Sequence, residues 1–181
     1  METFWDFSIR TYRTPGVPDA CLSLQNDHGA DVNMLLFCAW TGAVTGVFDD
    51  DLFRRASEYS GHWVENVVGP LRNARTWMKH TGCELDLVPT ETCMELREDV
   101  KEVEFAAEKM QQEVLEKLVS IDRARDEKPG RIIDDVAANL MLYLHFMEIQ
   151  IEVDVREKLS AIILAAFPEI EPKTVAKAFA N

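Results

Sequence analysis

The sequence predicts an all-α protein, and three observations carry that reading. Every long segment repeats its apolar residues at steps of three and four. Pro, Gly and short polar residues stand where helices would start and stop. Period-two alternation with β-branched enrichment is absent over any useful length. The expected architecture is one helical bundle domain over residues 1–181, of six to eight helices, with aromatic N-terminal helices packed beside longer ones.

Thr3 is placed to cap a first helix over about Phe4 to Tyr12, stopped by Thr14-Pro15-Gly16. Pro18 suits the first turn of a second helix, which meets Gly29 as its C-terminal stop. Asp31 is a good N-cap for a third, from Val32 to about Thr41, apolar almost all round and therefore central. Thr41 to Gly46 reads as a permissive turn. Asp49-Asp50-Asp51 opens a fourth helix with the stripe Leu52, Ala56, Tyr59, Trp63, Val67 and Leu71. Gly69-Pro70 falls inside that stripe and predicts a kink or break, since Pro removes a donor and crowds the preceding turn.

Residues 82–90 read as an internal linker. Thr92-Cys93-Met94-Glu95 has capping-box form and introduces a long fifth helix. Its stripe is expected to be Leu96, Val100, Val103, Ala107, Met110, Val114, Leu118 and Ile121, with Glu, Asp, Lys and Gln on the other side. At about 1.5 Å per residue such a helix makes a rod of roughly 45 Å. Asp126 to Gly130 breaks the chain. A sixth helix over about Arg131 to Gln150 is apolar on nearly every face, a seventh spans Asp154 to Phe167, and a short one follows Pro172.

A net charge of −13 excludes binding through clustered phosphate contacts, so no nucleic-acid partner is expected. The same field disfavours anionic membrane surfaces. The longest apolar candidate, Val136 to Ile151, is interrupted by Asn139, His145, Glu148 and Gln150, so no membrane span is expected. Met1 to Phe7 has neither the basic start nor the apolar run of a secretory signal, and a cytoplasmic location follows. Cys21, Cys38, Cys83 and Cys93 lack CxxC spacing and read as buried thiols rather than a disulfide framework.

Four clusters bear on chemistry. Asp27-His28-Gly29-Ala30-Asp31-Val32-Asn33 holds enough polar side chains to grip a substrate or metal, although Gly29 and Asp31 also serve as helix caps. His145 and Glu148, three apart, lack the further carboxylates a dimetal bundle needs, and no metal site is assigned. Asp49 to Arg55 faintly resembles a diphosphate-binding helix without its second acidic motif; first-turn acids suffice. Arg72 and Arg75 beside the expected kink can hold an anion, or pair internally in so acidic a chain.

Beyond these patterns, Phe4-Trp5-x-Phe7-Ser8, Tyr12, Pro15-Gly16-Val17, Ala20-Cys21-Leu22-x-Leu24-Gln25, His28-Gly29-x-Asp31-Val32-Asn33-x-Leu35-Leu36-Phe37-Cys38 and Trp40 resemble a family of short proteobacterial conserved hypothetical proteins, a domain of unknown function. Trp63, Val67-Val68, Pro70-Leu71-Arg72 and Arg75 match its second block, while Thr76 stands where that block has another Arg. The resemblance covers about the first eighty residues. It implies a bacterial cytoplasmic protein and brings no activity, cofactor or catalytic residue.

The leading expectation is a non-enzymatic acidic interaction or regulatory module that self-associates, the apolar sixth helix being covered by a second copy in a homodimer. The alternative is a small-molecule- or metal-binding protein, enzyme or not, with a site at Asp27, His28, Asp31, Asn33 and Arg72 and with Trp40 as a wall.

Overall fold

The computed structural model describes residues 2–80, 89–120 and 129–179. These form helices α1 (Phe4–Tyr12), α2 (Val17–His28), α3 (Val32–Val44), α4 (Asp50–Trp63), a π-helical segment (Val64–Val68), α5 (Gly69–His80), α6 (Thr90–Leu118), α7 (Pro129–Phe146), α8 (Val153–Ala166) and α9 (Pro172–Ala178). No strand occurs among the described residues.

The early helices follow their caps. The Thr3 side chain accepts from the Asp6 N–H, and Asp49 accepts from the Leu52 N–H at 2.7 Å. Gly29 ends α2 at φ +73°, a left-handed conformation that glycine adopts without strain. The chain then turns through Ala30 to Asp31, whose side chain accepts from the Asn33 N–H and starts α3.

Helix α3 is the centre of the core, with Met34 to Ala39 at 2% exposure or less. It extends through Thr41-Gly42-Ala43-Val44, which the sequence suggests is a turn. Packing explains the difference. A Cβ on Gly42 would lie 2.8 Å from the backbone of Val136, so glycine here is a contact point between α3 and α7 rather than a stop. Asn139 on α7 fastens the end of α3: its Nδ2 donates to the Cys38 and Gly46 carbonyls, and its Oδ1 accepts from the Phe48 N–H. Helix α8 packs on α1 and α2, and α9 on α7 and α8.

The expected kink takes the form of the π-helical segment. Gly69 donates to the Val64 carbonyl, one residue beyond the α-helical partner, and α5 then runs on through Pro70. Widening the turn relieves the clash between a proline ring and the carbonyl four residues back. Gly69 is required there, because a Cβ would sit 2.8 Å from that same carbonyl oxygen.

Helix α6 departs from expectation in three ways. It starts at Thr90, so residue 90 is helix; Pro89 precedes it with no side-chain cap, and the capping box at Thr92 does not form. It ends at Leu118 where Val119 turns extended, and Ile121 lies outside the described residues. Its buried face is Glu104, Ala107, Gln111, Gln112 and Leu115, while Leu96, Val103 and Met110 are more than half exposed. The three-and-four spacing was a true helix signal, but the polar face turns inward. Most of the linker 82–90 and residues 126–128 of the expected break fall outside the described residues, while Pro129 and Gly130, read as part of that break, open α7.

Helix α7 ends at Phe146, four residues early, with Glu148 at φ +57° and Ile149 donating back to the Leu144 carbonyl. Ile133, Val136, Ala137, Leu140, Tyr143 and Leu144 are buried within the chain, and Leu142 and Phe146 are exposed. Most of the cover sought from a second copy is therefore supplied by α3 and α9. Cys21 and Cys38 are buried free thiols. Cys93 is disulfide-bonded, which corrects the reading of every cysteine as a thiol.

Candidate ligand-binding cavity

A cavity of about 910 Å³ opens between the N-terminal helices and the α5–α6 pair. Trp5, Tyr12 and Phe105 give it aromatic walls, and Asp31, Asn33 and Arg72 stand on its lining. Helix α1 is held against α6 partly by Glu116, whose carboxylate accepts from the Phe4 N–H at 3.2 Å. The Trp63 indole, at the entry to the π-helical segment, donates to the Ala107 carbonyl and ties that segment to α6.

One side of the lining is a hydrogen-bonded relay. Asp31 accepts from the Asn33 N–H at 2.9 Å, from Gln111 Nε2 at 2.6 Å and from the Ser60 hydroxyl. Gln111 Oε1 accepts from Asn33 Nδ2 at 2.7 Å, and Asn33 Oδ1 accepts from Gln112 Nε2 at 2.7 Å. The backbone N–H of Asp31 donates to the Tyr143 hydroxyl at 2.8 Å, so α7 backs the same corner. Burial pushes the Asp31 carboxyl above its ordinary pKa, against the pull of Ser60, Asn33 and Gln111.

The other side is an ion-pair cluster. Glu104, 5% exposed, accepts from Arg72 Nε at 3.1 Å and from two nitrogens of Arg75. Glu108 accepts from Arg72 Nη2 at 2.9 Å. Burial opposes ionisation of Glu104, but its bonds to Arg75 and Arg72 outweigh it and hold the carboxyl below its ordinary value. At Glu108 burial wins, and the carboxyl is raised despite Arg72. The two arginines thus serve as internal partners, α5 presenting them three residues apart to glutamates four apart on α6.

The structure brings Asp31, Asn33 and Arg72 together and leaves the other three candidates elsewhere. Asp27 is exposed and accepts from the Ser23 hydroxyl at 2.6 Å. His28 Nε2 lies 3.8 Å from Asp154 on the α2–α8 side. Trp40 packs with Phe4 and Phe37 and donates to the Glu2 carbonyl, beside a separate cavity of about 450 Å³. The turn of the peptide at Gly29 accounts for the split: the residues before it belong to α2's outer surface, those after it to α3's buried start. Among the described residues no cluster of three His, Cys, Asp and Glu side chains is arranged to hold a metal. His145 is exposed and Glu148 lies beyond the helix end.

Sequence reasoning missed Ser60, Glu104, Glu108, Gln111 and Gln112. A signal for them was present, since 104, 108 and 111 fall at helical spacing and share one face of α6 with Ala107 and Leu115.

The family model described as "Protein of unknown function (DUF2390)" matches residues 3–115. The chain belongs to this family. The matched span contains every residue that lines the cavity, from Trp5 to Gln112, and excludes α7, α8 and α9. No curated protein and no solved structure matches the chain. No helix among the described residues is long and apolar enough to cross a membrane.

Proposed function

We propose that this domain binds a small organic ligand in the cavity between the N-terminal helices and the α5–α6 pair. The observation that carries the reading is the convergence of Asp31, Asn33 and Arg72 with Glu104, Glu108 and Gln111 around one concave space. Its volume of about 910 Å³ lies within the span of ligand pockets, ~300–1,000 Å³, and such pockets pair apolar walls with a few oriented polar groups. Binding is favoured over catalysis because Arg72 and Arg75 are held by Glu104 and Glu108, Asp31 is held by Ser60, Gln111 and the Asn33 N–H, and no Cys or His belongs to the lining. Native mass spectrometry of freshly purified protein, followed by a fragment screen with amide-shift detection, tests the reading. A retained small molecule, or fragments mapping to this cavity, is the expected result; a bare chain that no fragment perturbs would contradict it.

A second reading, self-association, is favoured by the exposed apolar residues of α6. Leu96, Val103 and Met110 lie seven residues apart on one exposed stripe, at 52%, 54% and 52% exposure. That spacing suits a helix seam between two copies. The same mass spectrum reports it as a dimer that Val103→Glu abolishes. The bacterial cytoplasm is the setting that the family resemblance and the chain's acidity support.

A further inference from the structure

The chemistry of the ligand follows from two features of the wall, and the argument rests on the cavity being a ligand site. The first is charge. Each cation on the lining is already engaged: Arg72 with Glu104 and Glu108, Arg75 with Glu104, and Lys101 with Glu98 at 3.0 Å. Asp31 and Glu102, also on the lining, have no cation within ion-pair distance among the described residues. An anionic ligand would find no unpaired positive group here and would meet the field of a chain of net charge −13.

The second feature is the direction of the relay. An ionised carboxylate only accepts hydrogen bonds. Asp31 accepts on both oxygens, from the Asn33 N–H on one and from Ser60 and Gln111 on the other, so Gln111 turns its NH₂ towards it and its Oε1 to Asn33. Asn33 must then donate to Gln111 and accept from Gln112. Each amide has one orientation left, and the chain ends at Gln112 Oε1, a buried acceptor with no partner on a side chain 4% exposed. A buried acceptor left unpaired costs roughly 1–3 kcal/mol, a cost that a donor entering the cavity would offset once a small shift of this wall let it reach Gln112. Ser8, also on the lining and 3% exposed, has a hydroxyl likewise without a partner.

We propose that the ligand is an organic cation bearing N–H donors, an amine, amidine or guanidine, taken in by the carboxylates of Asp31 and Glu102, the Gln112 carbonyl and the aromatic wall. Trp5 already holds a cation: the Lys109 ammonium lies 5.3 Å from its ring centroid. Aromatic faces attract such groups through their quadrupole.

The test is isothermal titration of the whole protein with three probes sharing one ring, benzamidinium, benzyl alcohol and benzoate, at equal ionic strength. Benzamidinium is expected to bind about tenfold or more tighter than benzoate, the effect of roughly one charge-assisted hydrogen bond. Benzoate or benzyl alcohol binding as tightly would overturn the cation while leaving the cavity reading intact. Binding of none of the three at millimolar concentration would remove both.

Asp31→Asn supplies a second arm, because asparagine caps helices as well as aspartate and keeps the shape while removing the charge that orients the relay. It should weaken benzamidinium about tenfold and benzyl alcohol less than about twofold. Equal losses for the two probes would overturn the relay argument. Glu102→Gln, at an exposed position, gives the same contrast if Asp31→Asn fails to fold: benzamidinium alone should weaken, and an unchanged affinity would overturn the proposal.

Discussion

Asn33 Nδ2 on α3 donates to Gln111 Oε1 on α6 at 2.7 Å, a direction set at Asp31, to which Gln111 Nε2 donates at 2.6 Å. The bond joins two helices at the edge of the cavity through buried side chains. Gln111→Leu preserves volume and removes a partner from each of Asn33, Asp31 and Ser60. It should destabilise the fold by about 2–4 kcal/mol, the cost of leaving three polar groups short of a partner. The urea midpoint measures it, and a loss below about 0.5 kcal/mol would mean the relay is loosely held.

Glu104 gathers both arginines of α5, so Glu104→Gln should cost about 2 kcal/mol at neutral pH, the arginines' partial exposure screening part of a buried pair's value. The sign with pH follows from its depressed folded-state pKa. Its stabilisation is present above the unfolded glutamate value, near 4.3, and is lost as pH falls through the folded one. The deficit of the variant should therefore shrink in acid. A deficit of constant size from pH 7 to pH 3 would contradict the ion-pair account.

Asp31 behaves in the opposite sense. Its folded-state pKa is raised by burial, so the folded chain takes up this proton before the unfolded chain does. Wild type should gain stability relative to Asp31→Asn as pH falls through the folded value, in full only below the unfolded value near 3.9. Denaturant titrations of the pair at several pH values test the slope, and a difference that falls in acid would show that hydrogen bonding outweighs burial.

Gly42→Ala tests the α3–α7 contact. The new methyl would meet the Val136 backbone at 2.8 Å, and backbone cannot swing aside as a side-chain tip can. A loss of about 1–3 kcal/mol is expected. Gly61→Ala, in α4 with nothing within 4 Å, should instead stabilise by about 0.4–1 kcal/mol through the unfolded state. Melting temperatures that move the same way for both would contradict the packing.

What was legible in the sequence was local. Thr3, Gly29, Asp31 and Asp49 carry their capping chemistry within a few residues, and each does its work where the spacing placed it. Gly69-Pro70 announced a disturbance for the same reason. The orientation of α6 was not legible, because whether Glu104 and Gln111 meet water or a partner is decided by residues 29 to 80 positions away. A polar helix face reads as solvated unless the arginines and Asp31 across the cavity are known. Of the polar insertion, the half after Gly29 joined the cavity and the half before it did not, a division set by which side of a helix stop each residue occupies.

The donor-bearing cation proposed above sits at the wall that carries Asp31, Gln112 and Trp5. Backbone amide shifts of uniformly ¹⁵N-labelled protein titrated with benzamidinium test it most directly. Saturable changes at Ser8, Asn33, Glu108 and Gln112 are predicted, with none around Trp40 and Arg10 at the smaller cavity. Changes centred on that smaller cavity or on the outer stripe of Leu96, Val103 and Met110, or no saturable change anywhere, would contradict it.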